Sequence, residues 1–91
     1  MLIEFDPAKN ARNIATRGLS FELADEFDFE TAVIWQDTRN TYPEMRFAAL
    51  GLIGERVYSL VFAETLTGIR VISFRKANAR EVKRYEHETR P

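Results

Sequence analysis

Apolar residues change their spacing along this chain, and each change marks a new element. Leu2-Ile3-Glu4-Phe5 is short, apolar and broken by Asp6-Pro7, which reads as a brief strand. Asp6 suits an N-cap, and Pro7 suits the first helical position, where a missing N–H costs nothing. The helix covers about residues 7–16 and ends at Gly18, a residue that readily adopts the left-handed conformation of a C-cap. A second helix opens at Ser20. Phe21, Leu23, Ala24, Phe27 and Phe29 form its buried stripe, and Glu22, Asp25, Glu26 and Asp28 its solvated face.

From Thr31 the apolar period falls to two. Residues 32–36 read as a strand and residues 37–44, with Pro43, as a polar loop. Residues 47–53 and 57–63 form two strands joined at Gly54-Glu55 as a hairpin, and 69–76 form the last strand after a turn over 65–68. Asn78 with Glu81 three residues on has the spacing of a capping box, so a final helix covers about 79–87. The order is β-α-α-β-β-β-β-α. This predicts an α+β fold: an antiparallel sheet of four to five strands carrying two N-terminal helices and one C-terminal helix, one domain over residues 1–91.

Composition adds a cellular setting and removes several chemistries. There are no cysteines among the 91 residues, which excludes disulfides, thiolate zinc sites and cysteine nucleophiles and fits a reducing cytoplasm. No apolar run approaches the roughly 18–20 residues that span a bilayer, and Met1–Asp6 lacks the pattern of a secretory signal, so a cytoplasmic protein is expected. His87, flanked by Glu86 and Glu88 on the final helix, is the one histidine and reads as part of a solvated helix end, so no metal or cofactor is expected. There is no glycine-rich phosphate loop and no nucleophile–histidine pair, which leaves little for a small-molecule enzyme.

Charge is where the chain becomes informative. The net charge of −1 conceals a polarity: residues 1–45 carry four basic and nine acidic side chains, residues 46–91 nine basic and five acidic. Six basic residues fall between Ile69 and Arg84 against a single acid, Glu81. A localised cationic segment on a near-neutral chain points to a confined polyanion site.

The chain also resembles a known family. Phe5-Asp6-Pro7-Ala8-Lys9-Asn10 with Asn13, then Gly18-Leu19-Ser20-Phe21 with Ala24 and Phe27, follow its pattern. So do Glu44-Met45-Arg46-Phe47 with Gly51, the run from Arg70 to Ala77, Glu81 and Tyr85. In order and spacing this resembles the BrnT family of bacterial toxins, the toxic halves of type II toxin–antitoxin pairs, which look like shortened RelE-type ribonucleases. Two positions depart from the family pattern: Thr16-Arg17 stands where Lys-His is usual, and Phe74 where a small residue is common. The resemblance implies a RelE-like fold and metal-independent cleavage of RNA, in which the ribose 2′-OH attacks the adjacent phosphate and translation is blocked. It also implies a BrnA-like antitoxin with a DNA-binding domain of ribbon-helix-helix type, operator DNA being bound only through the complex.

Such a reaction needs RNA held in line, charge stabilised on the phosphorane, and protons moved. Arginine suits the second task because its planar fork is always charged and can bind two phosphate oxygens. The catalytic candidates are Arg46, Arg75, Lys76, Arg80 and Tyr85; Ser73, Arg70, Lys83 and Arg84 are candidates for RNA contact. Each has a plainer reading: Tyr85 as a core residue, Arg46, Arg70 and Arg84 as solvated surface, Glu81 as a helix cap and not a general base. Trp35 reads as core. Strand alternation puts Arg70 and Arg75 on opposite faces of the last strand unless a bulge intervenes. On the final helix Arg80, Lys83, Arg84 and His87 share one cationic face, fit for RNA or for an acidic partner segment. Two functions stay open: a toxin ribonuclease, or a toxin-like scaffold that binds its partner, and RNA by charge, without cutting.

Overall fold

The computed structural model describes residues 1–91. Strand β1 (Leu2–Phe5) turns at Asp6 into helix α1 (Pro7–Arg17). The Asp6 carboxylate accepts the Ala8 N–H at 2.9 Å, and Gly18 ends the helix at φ 65° with its N–H donated to the Ile14 carbonyl. A 3-10 helix (Phe21–Glu26) follows, then β2 (Val33–Gln36), β3 (Phe47–Ile53), β4 (Arg56–Glu64), β5 (Gly68–Lys76) and helix α2 (Ala79–Thr89). Asn78 and Glu81 close the capping box of α2. None of the helices is long and apolar enough to cross a membrane.

Two expectations about the fold are corrected. The sheet is mixed, not antiparallel: its five strands run β1-β5-β4-β3-β2, and β1 pairs parallel to β5, Leu2 facing Gly68 and Phe5 facing Val71. Alternation assigns side chains to faces, but it carries no information on which strand is a neighbour or which way it runs. Nor are there two N-terminal α-helices. The second is a 3-10 element of six residues. Its buried residues Phe21 and Ala24, and Phe27 just beyond, recur every three positions, and three residues per turn is the 3-10 period. An α-helix would spread the same three residues over about 120° of its surface.

The sheet buries its two faces unequally. One face packs Ala49, Leu60, Phe62, Ile69, Val71 and Phe74 against Leu19, Phe21, Ala24 and Phe27. On the other, Leu50 and Val57 meet Tyr85 of α2, with Val82 and Trp35 beside them. Helix α2 therefore shields one end of the second face and leaves the rest open.

A β-bulge sets what the open part displays. Ser73 pairs with Val61, yet the next pair is Val71 with Phe62, so Ile72 has no partner on β4. Two residues then oppose one interval, and the alternation of β5 slips. Ile69 and Val71 before the bulge and Phe74 after it all enter the same core. Arg70, Ser73 and Arg75 are thereby turned to the opposite side.

Helix α1 is tied down by two amides. Beyond Phe5 the outer edge of β5 has no strand partner, and Asn13 reaches it, donating to the carbonyls of Phe74 (3.0 Å) and Leu19 (2.9 Å). The Asn10 side-chain oxygen accepts the Phe21 N–H at 2.7 Å. These two residues fix α1 against both β5 and the 3-10 helix.

Candidate nucleic-acid interface

The open part of the sheet is a groove of about 300 Å³. Ala48, Ser59, Val61 and Ser73 line it from the strands, and Trp35, Arg39, Tyr42, Arg46, Arg75 and Glu81 are among the residues around them. Small residues on β3 and β4 keep the floor low, while the loop after β2 and the start of α2 supply the larger polar groups.

Each arginine of the groove is held by a carboxylate. Arg75 makes a two-pronged ion pair with Glu81, at 2.7 and 3.0 Å, and a longer bond to the Lys76 carbonyl at 3.3 Å. Those three bonds leave two of the five guanidinium N–H groups free. Arg46 donates through Nε to Glu44 at 2.8 Å and lies over the Tyr42 ring, 4.1 Å from its centroid. Its terminal nitrogens keep all four of their N–H groups.

Asp37 organises the loop that presents Tyr42 and Arg46. Its carboxylate, in a residue only 4% exposed, accepts the Arg39 backbone N–H, the Arg39 Nε and Nη2 groups at 2.9 and 2.8 Å, and the Tyr42 hydroxyl at 3.4 Å. The Asp37 N–H in turn donates to the Arg46 carbonyl. Asp37 thus anchors both parts of the loop, Arg39 and Tyr42 through its carboxylate and Arg46 through its backbone N–H.

The Arg39 guanidinium holds the Asp37 carboxyl down to about 2, against an ordinary value of 3.8, and burial opposes the shift without overcoming it. Arg75 likewise holds the Glu81 carboxyl below its ordinary range, helped by the Asn78 backbone N–H. Because the folded pKa of Asp37 is depressed, its contribution to stability is complete above 3.8 and is lost as pH falls through about 2. We expect Asp37→Asn to lower the melting temperature near neutrality and the gap to the parent to narrow steadily in melts taken between about pH 4 and pH 2. A gap of constant size would show that the charge is not its source.

The residues singled out in the sequence divide. Arg46, Ser73 and Arg75 converge on the groove together with Glu81. Arg70 lies next to it, lining an adjoining depression that shares Arg46 and Ile72. Arg84 sits over the outer wall, its guanidinium 4.0 Å from the centroid of the Trp35 ring and its Nε bonded to Glu88 at 2.6 Å. Lys76 points to the other side of the strand, beside Arg17 and Leu19. Arg80 and Lys83 are exposed on α2 outside the groove. Tyr85 does not line it: 7% exposed, it fills the small core with Leu50 and Val57. Glu81 performs both structural tasks, closing the cap of α2 and gripping Arg75.

Asp37, Arg39, Tyr42 and Ser59 were missed, and Trp35 was placed only in the core. The loop over 37–44 holds an arginine and a tyrosine between two strands, and loops set on a rigid sheet are frequent carriers of binding groups. That signal was available.

Fold and groove define a class: a small α+β protein with an arginine-lined trough floored by one face of a mixed sheet. Residues 5–81 match the family model for the ribonuclease toxin BrnT of type II toxin–antitoxin systems, and the chain belongs to that family. Membership brings with it a ribonuclease activity and a protein antitoxin as partner. A search of curated proteins finds no match.

Proposed function

We propose that the groove binds single-stranded RNA and cleaves it internally without a metal ion, so that translation stops. The observation that carries this reading is the convergence of Arg46, Ser73 and Arg75 in one trough, brought about by the bulge at Ile72. The 2′-oxygen forms a bond to the adjacent phosphorus and the bond from phosphorus to the 5′-oxygen breaks, leaving a 2′,3′-cyclic phosphate and a 5′-hydroxyl. Arg75 and Arg46 bind the phosphorane oxygens through their remaining N–H groups, where negative charge grows in the transition state. Ser73 donates to a third oxygen. Glu81 is a positioning residue: it fixes the Arg75 fork before substrate arrives, so that little ordering is left for the reaction itself.

Proton transfer is the weaker part of this catalyst. The lining groups include no histidine, and both carboxylates, Asp37 and Glu81, are ion-paired and held low. Neither carboxylate titrates near neutrality, where a general base is most effective. The 2′-OH proton passes to water, and the 5′-oxygen takes one from water. The same observation favours a second reading, a scaffold that binds antitoxin and RNA without cutting.

The antitoxin in this proposal is BrnA-like. It covers the groove with an acidic segment and carries the DNA-binding domain through which the complex represses its own operon. The setting is the cytoplasm.

The antitoxin-free protein incubated with end-labelled single-stranded RNA in excess EDTA is expected to yield discrete fragments ending in 2′,3′-cyclic phosphate. Cleavage that vanishes with EDTA and returns with a divalent cation would overturn the metal-free route. Intact RNA under both conditions, with binding retained, would favour the scaffold.

A further inference from the structure

We propose that the outer face of α1 is a second RNA-contacting surface, which takes the phosphates of the strand after it leaves the groove. This rests on the reading of the groove as an RNA site.

Three depressions meet at the bulge. Ile72 lines the groove, a depression of about 330 Å³ shared by Lys9, Arg46 and Arg70, and another of about 230 Å³ along α1. Ser73 lines both the groove and the α1 depression. The bulge is therefore a saddle joining the sheet face to the helix beside it. Across the saddle lie Lys9, Arg12 and Arg17, all exposed.

These cations differ from those in the groove in one decisive respect. Arg39, Arg46 and Arg75 in the groove each hold a carboxylate, as does Arg84 on its outer wall, whereas Lys9, Arg12 and Arg17 form no ion pair. Asp6, the acid nearest to Lys9 and Arg12 along the chain, caps the helix, and Glu22, the acid nearest to Arg17, forms no ion pair. Lys9 and Arg12 are one turn apart, Thr16 continues their face, and Arg17 follows at the C-terminal end. Each unpaired cation that neutralises a phosphate releases a counterion condensed on the RNA, while a cation that keeps its carboxylate adds little net charge and releases less. The α1 surface thus supplies the salt-sensitive part of the affinity, and the groove the geometry.

The test uses a 2′-O-methyl oligoribonucleotide, which binds without being cut, titrated at several salt concentrations. Replacing Lys9, Arg12 and Arg17 together by alanine is expected to weaken binding by at least about tenfold at low salt. It should also flatten the log–log salt slope by about 2, near 0.7 for each charge on a single strand. All three are exposed and unpaired, so the melting temperature should stay close to that of the parent. Arg56→Ala, at the start of β4 beside the far turn, controls for the loss of one charge and should change the slope by much less than the roughly 0.7 of a phosphate contact. A parent with a clear slope that the triple variant reproduces would overturn the α1 surface and leave the groove standing. If that variant had instead lost binding to poly-glutamate, the helix face would belong to an acidic protein partner, which also overturns the proposal. A parent that binds no RNA at any salt would remove the groove reading itself.

Discussion

Arg75→Ala is expected to slow RNA cleavage by about 10²- to 10³-fold in single-turnover assays, the loss typical of removing one preorganised donor from developing negative charge. Arg75 is placed by the bulge, which turns it to the groove, and by Glu81, which holds two of its nitrogens. Three hydrogen bonds hold the guanidinium, so its two free N–H groups are fixed in place. Arg75→Lys keeps the charge and loses the fork, so it should recover only part of the rate. Removing Arg75 also leaves Glu81 without its partner beside the phosphate path, and that repulsion alone would slow the reaction. The double variant Arg75→Ala with Glu81→Gln removes it. If the double variant regains the parental rate, the guanidinium is no catalyst and only balances Glu81. The pair is partly exposed, so stability should fall by no more than about 1 kcal/mol in either variant.

The largest loss of stability is expected from Gly68→Ala. A Cβ added at Gly68 would lie 2.0 Å from the Leu2 carbonyl oxygen and 2.6 Å from its nitrogen. Both are backbone atoms of the paired strand and cannot swing aside. The strands must separate at the first rung of the β1–β5 ladder, where Leu2 faces Gly68 and donates its N–H to the Thr67 carbonyl. A cost of about 3 kcal/mol follows, the upper end of overpacking penalties, with a fall in melting temperature on the order of 15 °C for a chain of this size. Gly51→Ala is an instructive contrast. Its Cβ would meet the buried Phe27 ring at 2.5 Å, and a ring can tilt where a paired backbone cannot, so the cost should be smaller. Thermal melts of the two variants side by side decide the matter. Equal losses would mean that β1 is readily displaced.

Much of this architecture was legible in the sequence because its signals were local. Asp6-Pro7 and Gly18 bound α1, Gly54 marks the hairpin turn at φ 60°, and the Asn78–Glu81 spacing starts α2 as expected. What escaped was non-local. The parallel partner of β1 is the strand most distant from it along the chain, and no local pattern names it. The 3-10 helix was legible in principle, since Phe21, Ala24 and Phe27 keep a period of three, yet the same residues also fit an amphipathic helix. At the site, strict alternation separated Arg70 from Arg75, and an unpaired Ile72 is invisible until β4 lies beside it. Tyr85 shows the converse. A tyrosine on a cationic helix suggests chemistry, and only the packing of α2 on Leu50 and Val57 assigns it to the core. The family positions Asn10 and Asn13 carried no stated role in the sequence, and in the fold they are the fasteners of α1.

The parallel pairing of the first strand with the last bears on when such a toxin becomes dangerous to the cell that makes it. Ribosomes extend a chain at about 5–20 residues per second and release its N-terminal end first. Here β1 has no sheet partner until Gly68–Val71 has been made, and Arg75 and Glu81 are added later still. The groove proposed for RNA therefore cannot assemble before residues 68–81 have been made. That delay is the interval in which an antitoxin already present can meet the protein as it folds.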